Sequence, residues 1–237
     1  MLAPLNIILM RHGESANNVM VSNQSHDQTE FQKQRSPDPD MTEKGYVMSA
    51  ESGKFLKRLE IKIDKFYTTG FLRAIQTIKQ VRKEYGEGVP VEIFNQVHEC
   101  CGCHKEDKVF PGLKRSEMLQ LIPDLIIPEA EQVDEIGWFK MDHVETPQES
   151  VLRAKEVVKV FKEMSKKAEF QGKTLMFVSH GAFLSTLLRV LCGQPKDALD
   201  AYQIPDNNSF TFIKVQAPQE GDRATAELLA FNVKTLS

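Results

Sequence analysis

Short apolar runs alternate with segments of helical periodicity along most of the chain. The runs have the length of buried strands and lie at residues 6–10, 63–67, 89–94, 174–178, 209–215 and 225–231. Between them, apolar side chains recur every three or four positions, as in amphipathic helices, at residues 43–59, 71–85, 147–164 and 182–191. This alternation predicts an α/β fold, a three-layer α/β/α sandwich with a mainly parallel sheet between two layers of helices.

Two of the predicted helices have start signals of their own. Thr42 precedes the first, and a threonine there can accept a hydrogen bond from a free N–H group of the first turn. Thr146-Pro147-Gln148-Glu149 precedes the third, and combines a capping threonine, a proline at the first helical position and the glutamate of a capping box. Local chemistry and periodicity therefore predict the same two helix starts.

Two segments lack a periodic pattern. Residues 22–40 are polar and end in a Ser-Pro-Asp-Pro-Asp sequence, which predicts a long loop without a core of its own. Residues 100–144 are cut into short pieces by prolines and predict an insertion that shapes a pocket, with one short helix near residues 116–121. We expect a single domain over residues 1–237, in which these segments are the irregular parts.

The composition argues against several classes of protein. The net charge of -3 and the pI of about 6.1 give no basic field for a nucleic acid or an anionic membrane surface. No apolar run approaches the roughly 20 residues of a membrane span, and the first residues show no basic leader, so we expect a cytoplasmic protein. Cys100, Cys101 and Cys103 are too crowded for a disulfide framework and are interpreted as reduced thiols.

Charged and imidazole side chains follow four of the predicted strands. Arg11 and His12 follow the first strand, and Arg73 lies in the first turn of the helix after the second. Glu99 and His180 follow two further strands. Because the carboxyl ends of parallel strands meet at one edge of a sheet, these side chains are expected to converge. Together they offer a nucleophile, cations for phosphoryl oxygens and a proton donor, which allows phosphoryl transfer through a covalent intermediate without a metal or cofactor.

Five motifs of this chain resemble, in order, the signatures of the histidine phosphatase superfamily of the branch 1 type, which includes the phosphoglycerate mutases. They are Arg11-His12-Gly13-Glu14-Ser15 with Asn18, residues 38–45, residues 72–77, Val97-His98-Glu99 and Ser179-His180-Gly181. Each stands next to a predicted strand or helix start, so the ordered set is far more specific than one motif. The resemblance spans nearly the whole chain and implies a phosphoglycerate mutase-like fold.

The resemblance also implies a role for each converging residue. His12 would attack phosphorus through its unprotonated nitrogen, forming a phosphohistidine that water later hydrolyses. Arg11, Arg73 and His180 would hold the phosphoryl oxygens, with His180 as a hydrogen-bond donor, cationic or neutral. Glu99 would protonate the leaving oxygen and later accept a proton from water. The other phosphate-binding residues that the resemblance implies are Gly13, Asn18 and Gly181.

The segment after Glu99 departs from the family pattern, which commonly continues with Gly, an aromatic residue, Glu and Gly. Glu14 and Glu106 therefore stay open as alternative acids. The residues around Glu99 also include several possible metal ligands and oxidisable thiols, namely His98, Cys100, Cys101, Cys103 and His104. Structural zinc sites usually combine two ligand pairs, and no second pair follows, so we predict no metal site and favour a redox-sensitive thiol.

Four residues outside these motifs receive simpler interpretations. His26 and His143 lie in polar segments and are expected at the surface. Cys192 ends a core helix and is expected to be buried packing. Asn208 precedes a late strand, where turn chemistry and a polar role in the site explain it equally well.

These observations predict a metal-independent phosphatase that hydrolyses a small phosphorylated metabolite through phospho-His12. A phosphoglycerate mutase-type isomerase would use the same residues and is the nearest alternative, although the sugar-acid pocket motifs of a mutase are not recognisable after Asn18. A catalytically inactive module that binds phosphorylated ligands or proteins is a third alternative, against which the complete set of residue types argues. The physiological substrate and the oligomeric state stay open, with a dimer among the alternatives.

Overall fold

The computed structural model describes residues 3–23, 28–193, 203–218 and 224–235. Its strands are β1 (Leu5–Arg11), β2 (Lys65–Thr68), β3 (Val91–Ile93), β4 (His104–Lys105), β5 (Lys108–Val109), β6 (Thr174–Ser179), β7 (Phe210–Gln216) and β8 (Thr225–Val233). Its α-helices are α1 (Ala16–Asn23), α2 (Gln28–Gln34), α3 (Glu43–Arg58), α4 (Leu72–Tyr85), α5 (Arg115–Leu121), α6 (Pro147–Lys166) and α7 (Gly181–Leu191). Short 3₁₀ turns occupy Asn95–Val97, Glu129–Glu131 and Ala168–Phe170.

Six strands form one mixed sheet in the order β3-β2-β6-β1-β7-β8. The first four run parallel to one another, whereas β7 and β8 pair antiparallel. Helices α3 and α4 contribute to the core on one face of the sheet, and α6 and α7 contribute to the core on the other. The predicted α/β sandwich with a mainly parallel sheet is therefore confirmed.

Strand β1 lies inside this sheet and contributes to both cores. Ile8 and Met10 pack with α3 and α4, and Ile7 and Leu9 pack with α6 and α7. Because both faces are covered, the strand is a continuous apolar run in the sequence instead of an alternating one. Full burial of these four side chains contributes on the order of 6–12 kcal/mol, which helps to offset the cost of the polar groups buried at the end of the strand.

The two predicted helix starts are confirmed. Thr42 Oγ1 accepts the N–H of Gly45 at 3.0 Å at the start of α3. At the start of α6, Thr146 Oγ1 accepts the N–H of Glu149 at 3.3 Å, and Glu149 Oε2 accepts the N–H of Thr146 at 2.8 Å. Helix α6 has 20 residues and a charged outer face, and none of the described helices is both long and apolar enough to cross a membrane.

The prediction of a continuous loop over residues 22–40 is wrong. Helix α1 extends to Asn23, and α2 occupies Gln28–Gln34. Helix α2 contains a single large apolar residue, Phe31, so no apolar stripe marks it in the sequence. Residues 24–27, which include His26, lie outside the described residues.

The insertion at residues 100–144 is part of the main core. The predicted short helix is confirmed as α5, whereas the β4–β5 hairpin was not predicted, because strands of two residues carry no periodic signal. Trp138 and Phe139 are buried and pack with the core that contains α3 and α4. The insertion therefore contributes side chains to the core on this face of the sheet.

The prediction that Cys192 is buried is wrong, because its thiol is free and the residue is exposed. Helix α7 buries Phe183, Leu184 and Leu187 and ends at Leu191. Cys192 therefore lies just after the helix and not on its buried face. His143 is exposed, as predicted.

Candidate active site

Two imidazoles and two guanidinium groups lie at the carboxyl ends of the parallel strands. Arg11 ends β1, and the N–H of the following His12 donates to Ser179 O, at the end of β6, at 2.9 Å. His180 follows Ser179 at the N-cap position of α7. Arg73 lies in the first turn of α4, shortly after β2 ends. The crossovers of the sheet thus bring residues from distant parts of the sequence to one place.

His12 offers an unprotonated nitrogen. His12 is 2% exposed, and its Nδ1 lies 2.7 Å from Gly13 O. Because a carbonyl oxygen only accepts hydrogen bonds, Nδ1 carries the proton. Nε2 then accepts a hydrogen bond from Arg73 Nε at 3.1 Å. A lone pair on a fixed, neutral imidazole is what an attack on phosphorus requires.

Arg73 connects the two imidazoles. Besides its bond to His12, it donates from Nη2 to His180 Nδ1 at 3.0 Å, and its guanidinium lies 4.1 Å from the ring centroid of Phe71. Since His180 Nδ1 accepts, His180 Nε2 carries the proton and donates to Thr69 Oγ1 at 2.9 Å. Both imidazoles are therefore oriented by hydrogen bonds on both ring nitrogens.

The same surroundings keep both imidazoles neutral. Burial lowers the pKa of His12 well below 6.5, and the charges of Arg73 and Arg11 lower it further. Burial, and then the charge of Arg73, lower the pKa of His180 in the same direction. Of the two donor forms considered for His180, the neutral one therefore fits the ligand-free site.

Neither His12 nor His180 is expected to titrate near pH 6.5, where an ordinary imidazole does, when ring protons are followed by NMR in the ligand-free protein. A lowered pKa means that each ring binds a proton only at a pH well below 6.5. His143 is the control, because Asp142 and Glu149 raise its pKa above 6.5. Titration of His12 near pH 6.5 would contradict this assignment.

Two buried guanidinium nitrogens at the site have no hydrogen-bond partner among the described residues. They are Arg11 Nε and Arg73 Nη1. Arg11 Nη1 donates to Pro205 O at 2.7 Å, and burial lowers the pKa of Arg11 despite the opposing charges of Glu99 and Asp206. Buried donors without an acceptor are costly, and an anion with several oxygens is the ligand type that would satisfy them.

The two glycines at the site lie where a side chain would collide. A Cβ atom at Gly181 would lie 3.0 Å from Arg11 Nε, and one at Gly13 would lie 2.7 Å from Ser49 Oγ. The N–H of Gly13 already donates to Thr77 Oγ1 at 2.9 Å. Gly181 therefore allows the backbone to approach Arg11 closely, and Gly13 allows it to pack closely on α3.

Asn18 belongs to a small amide network behind His12. Its Oδ1 accepts a hydrogen bond from Asn207 Nδ2 at 3.2 Å, and the same Nδ2 also donates to His12 O at 2.9 Å. Asn208 adopts a left-handed conformation with a φ of 60°, and its N–H donates to Arg11 O at 3.1 Å. The sequence suggested a role in the site for Asn208 but none for Asn207.

Glu99 is placed beside α7. Its Oε1 accepts two backbone N–H groups, from Cys100 at 2.9 Å and from Phe183 at 3.0 Å. The alternative acids lie elsewhere: Glu14 forms an ion pair with a lysine of α3 at 2.9 Å, and Glu106 is exposed in the β4–β5 turn. Of the three carboxylates, Glu99 is the one whose charge acts on both Arg11 and Arg73.

The His and Cys side chains on either side of Glu99 bind different partners. His98 Nδ1 lies 2.6 Å from Asn95 O, and Cys103 Sγ lies 3.5 Å from Pro37 O. Over the described ranges, no three His, Cys, Asp or Glu residues lie close enough together to hold a metal ion. Burial raises the pKa of Cys100 and of Cys103 to about 12, which keeps these thiols protonated and argues against redox sensitivity.

Two further charged residues line this region without having been predicted to act there. Asp38 Oδ1 accepts the N–H of Leu72 at 2.9 Å, at the start of α4, and burial raises the pKa of Asp38 to about 6. Arg35 Nη1 and His104 Nε2 are 2.9 Å apart, and no described carboxylate forms an ion pair with Arg35. In the sequence, Asp38 is the first residue of the motif at residues 38–45, whereas nothing but its charge distinguishes Arg35.

Comparison with known proteins gives one family and one fold. The sequence model of the family described as "Histidine phosphatase superfamily (branch 1)" matches residues 7–225. No curated protein sequence matches the chain.

Solved structures share the fold over nearly the whole chain. "Mycobacterial hydrolase 1" matches with a TM-score of 0.63 and 14% identity over 98% of this chain and 100% of its own. YhfR of Bacillus stearothermophilus matches with a TM-score of 0.60 and 22% identity over 97% and 98%. A mycobacterial glucosyl-3-phosphoglycerate phosphatase matches with a TM-score of 0.62 and 14% identity over 98% and 100%.

Proposed function

Because this chain belongs to branch 1 of the histidine phosphatase superfamily, we propose that it is a phosphatase that hydrolyses a phosphomonoester through a covalent phosphohistidine on His12. The observation that carries the proposal is the state of the His12 Nε2 atom. It is unprotonated, and Arg73 holds it beside two buried guanidinium donors that lack an acceptor. A nucleophile and an anion-binding site therefore coincide.

In the first half of the proposed reaction, His12 Nε2 attacks phosphorus, a P–N bond forms and the ester P–O bond breaks. Arg11 and Arg73 would bind the phosphoryl oxygens, whose negative charge guanidinium groups stabilise through paired hydrogen bonds. Glu99 would donate a proton to the leaving oxygen, so that an alcohol departs. Glu99 Oε2 suits this role, because both backbone hydrogen bonds of the carboxylate fall on Oε1 and no described residue donates to Oε2.

In the second half, water attacks the phosphorus of phospho-His12 and gives a proton to the Glu99 carboxylate. The P–N bond breaks, inorganic phosphate leaves and His12 recovers its lone pair. The hydrogen bond from His12 Nδ1 to Gly13 O is compatible with both halves, because it holds the same tautomer before and after transfer.

The proposed substrate is a small phosphorylated metabolite. A structural relative, the mycobacterial glucosyl-3-phosphoglycerate phosphatase, has been solved with inorganic phosphate, which supports a phosphoester ligand for this fold. We also propose a cytoplasmic location, which the four free thiols support, because reducing compartments keep cysteines unpaired.

Hydrolysis and isomerisation can be separated in one experiment. The protein is incubated with phosphoglycerate and with a panel of phosphometabolites in ¹⁸O-labelled water. A phosphatase releases inorganic phosphate that carries one solvent oxygen, because water attacks phospho-His12. Isomer exchange without labelled phosphate would instead favour the mutase, and neither product with any substrate would favour a binding module.

A further inference from the structure

A buried ion pair lies behind the segment that carries Glu99. Arg153, on α6, binds Glu145 through two hydrogen bonds of 2.7 Å, from Nε to Oε1 and from Nη2 to Oε2. The side chain of Glu145 is 2% exposed and that of Arg153 is 14% exposed. Ser150 Oγ also donates to Glu145 Oε2, at 2.7 Å. The pair has the planar bidentate geometry that fixes both partners in one orientation.

The ion pair holds the backbone on both sides of Glu99. Arg153 Nη1 donates to Gln96 O at 2.8 Å and to His98 O at 3.0 Å, just before Glu99. Glu145 Oε2 accepts the N–H of Cys101 at 3.2 Å, two residues after Glu99. The segment is therefore fixed on each side of the carboxylate by one member of the pair.

The same guanidinium also supports the group that binds the Glu99 carboxylate. Arg153 Cζ lies 4.0 Å from the ring centroid of Phe183. The N–H of Phe183 donates to Glu99 Oε1 at 3.0 Å. Arg153 thus contacts both the chain that carries Glu99 and the residue that holds its carboxylate.

We propose that Arg153 and Glu145 are positioning residues for the proton donor Glu99, an inference that rests on the proposed phosphatase function. No hydrogen bond joins either residue to His12, Arg11 or Arg73 in the described part of the chain. A buried ion pair contributes little net stability compared with apolar residues of the same volume, so stability alone explains it poorly. Proton transfer, in contrast, depends steeply on the position of the acid.

The test compares two substrates that differ in their need for an acid. Phenyl phosphate requires a proton on its leaving oxygen, whereas dinitrophenyl phosphate releases a stable anion without one. In Arg153→Met/Glu145→Gln, which removes both charges together, kcat/KM is expected to fall about 10- to 100-fold for phenyl phosphate and at most about threefold for dinitrophenyl phosphate. The ratio kcat/KM is used because it reports the steps up to release of the alcohol.

Two controls separate positioning from a general structural effect. Lys159→Met/Glu156→Gln makes similar changes in an exposed pair of the same helix, joined at 3.4 Å, and should leave both rates unchanged. In a Glu99→Gln background, Arg153→Met/Glu145→Gln should cause no further loss with phenyl phosphate, because residues that act through Glu99 are non-additive with it. If the double variant folds poorly, Glu145→Gln alone should show a smaller but equally selective loss.

The outcomes distinguish this inference from the proposed function. If Glu99→Gln is selective for phenyl phosphate but the ion-pair variants slow both substrates equally, the positioning role is overturned and the function stands. A persistent effect of the ion-pair variants in the Glu99→Gln background also overturns it. If Glu99→Gln slows both substrates equally, Glu99 is not the proton donor and the inference falls with that assignment.

Discussion

A His12→Ala variant is expected to lose phosphatase activity by a factor of about 10⁴ to 10⁶ in kcat, with no phosphoenzyme formed. His12 Nε2 is the proposed nucleophile, and Arg73 Nε orients its lone pair at 3.1 Å. Without it, water would have to attack the ester directly. The measurement is phosphate release in steady state, together with acid-labile labelling of rapidly quenched protein.

His143→Ala is the matched control for this variant, because it removes an exposed imidazole whose ring nitrogens bind, among the described residues, Asp142 and Glu149 alone. Its activity and labelling should equal those of the unmodified protein. If His12→Ala kept more than about a hundredth of the activity, a covalent mechanism through His12 would be untenable.

The core of this fold could be predicted because its signals are local. Ile7 to Leu9 and Leu175 to Phe177 are apolar without interruption, since two layers of helices cover the central strands. Arg11, His12 and His180 could then be predicted to lie near one another, because the carboxyl ends of parallel strands meet at one edge of the sheet. The starts of α3 and α6 could be predicted from Thr42 and Glu149, because their side chains form hydrogen bonds with residues only three positions away.

The parts that were missed depend on contacts between distant segments. Arg153 and Glu145 act on residues 96–101, and nothing within either segment signals that they meet. Helix α2 carries no apolar stripe, and the packing of Arg35 against His104 joins residues 69 positions apart. Tautomers and pKa values of the imidazoles likewise follow from burial and from the orientation of Arg73, which periodicity does not encode.

Arg73→Met should lower kcat/KM by about 10³-fold or more, because Arg73 would neutralise the transferring phosphoryl group and also orients His12 and His180. Arg73→Lys should recover only part of this loss. A lysine keeps the charge but cannot place planar donors on both imidazoles at once. The measurement is kcat/KM with dinitrophenyl phosphate, which needs no acid and so isolates the effect on phosphoryl binding and attack.

The same variant should lose little stability, which separates the catalytic role of Arg73 from a structural one. Burial lowers the pKa of Arg73 from 12.5 to about 10, so folding disfavours its charged form at every pH below 10. At pH 7 this cost is present in full and amounts to about 3 kcal/mol, which offsets much of what its two imidazole hydrogen bonds and its contact with Phe71 contribute.

Asp38 should not be left as an unpaired buried charge in Arg73→Met. The attraction of Arg73 lowers the pKa of Asp38 against a larger upward effect of burial, so without Arg73 that pKa rises above about 6 and the carboxyl takes up a proton more readily. We therefore expect the free energy of unfolding at pH 7 to fall by less than about 1 kcal/mol. Inorganic phosphate should raise the melting temperature of the unmodified protein but not of the variant. This comparison reports phosphate binding, because a ligand stabilises a folded protein only if it binds the folded state. A large loss of stability with phosphate binding intact would instead make Arg73 a structural residue.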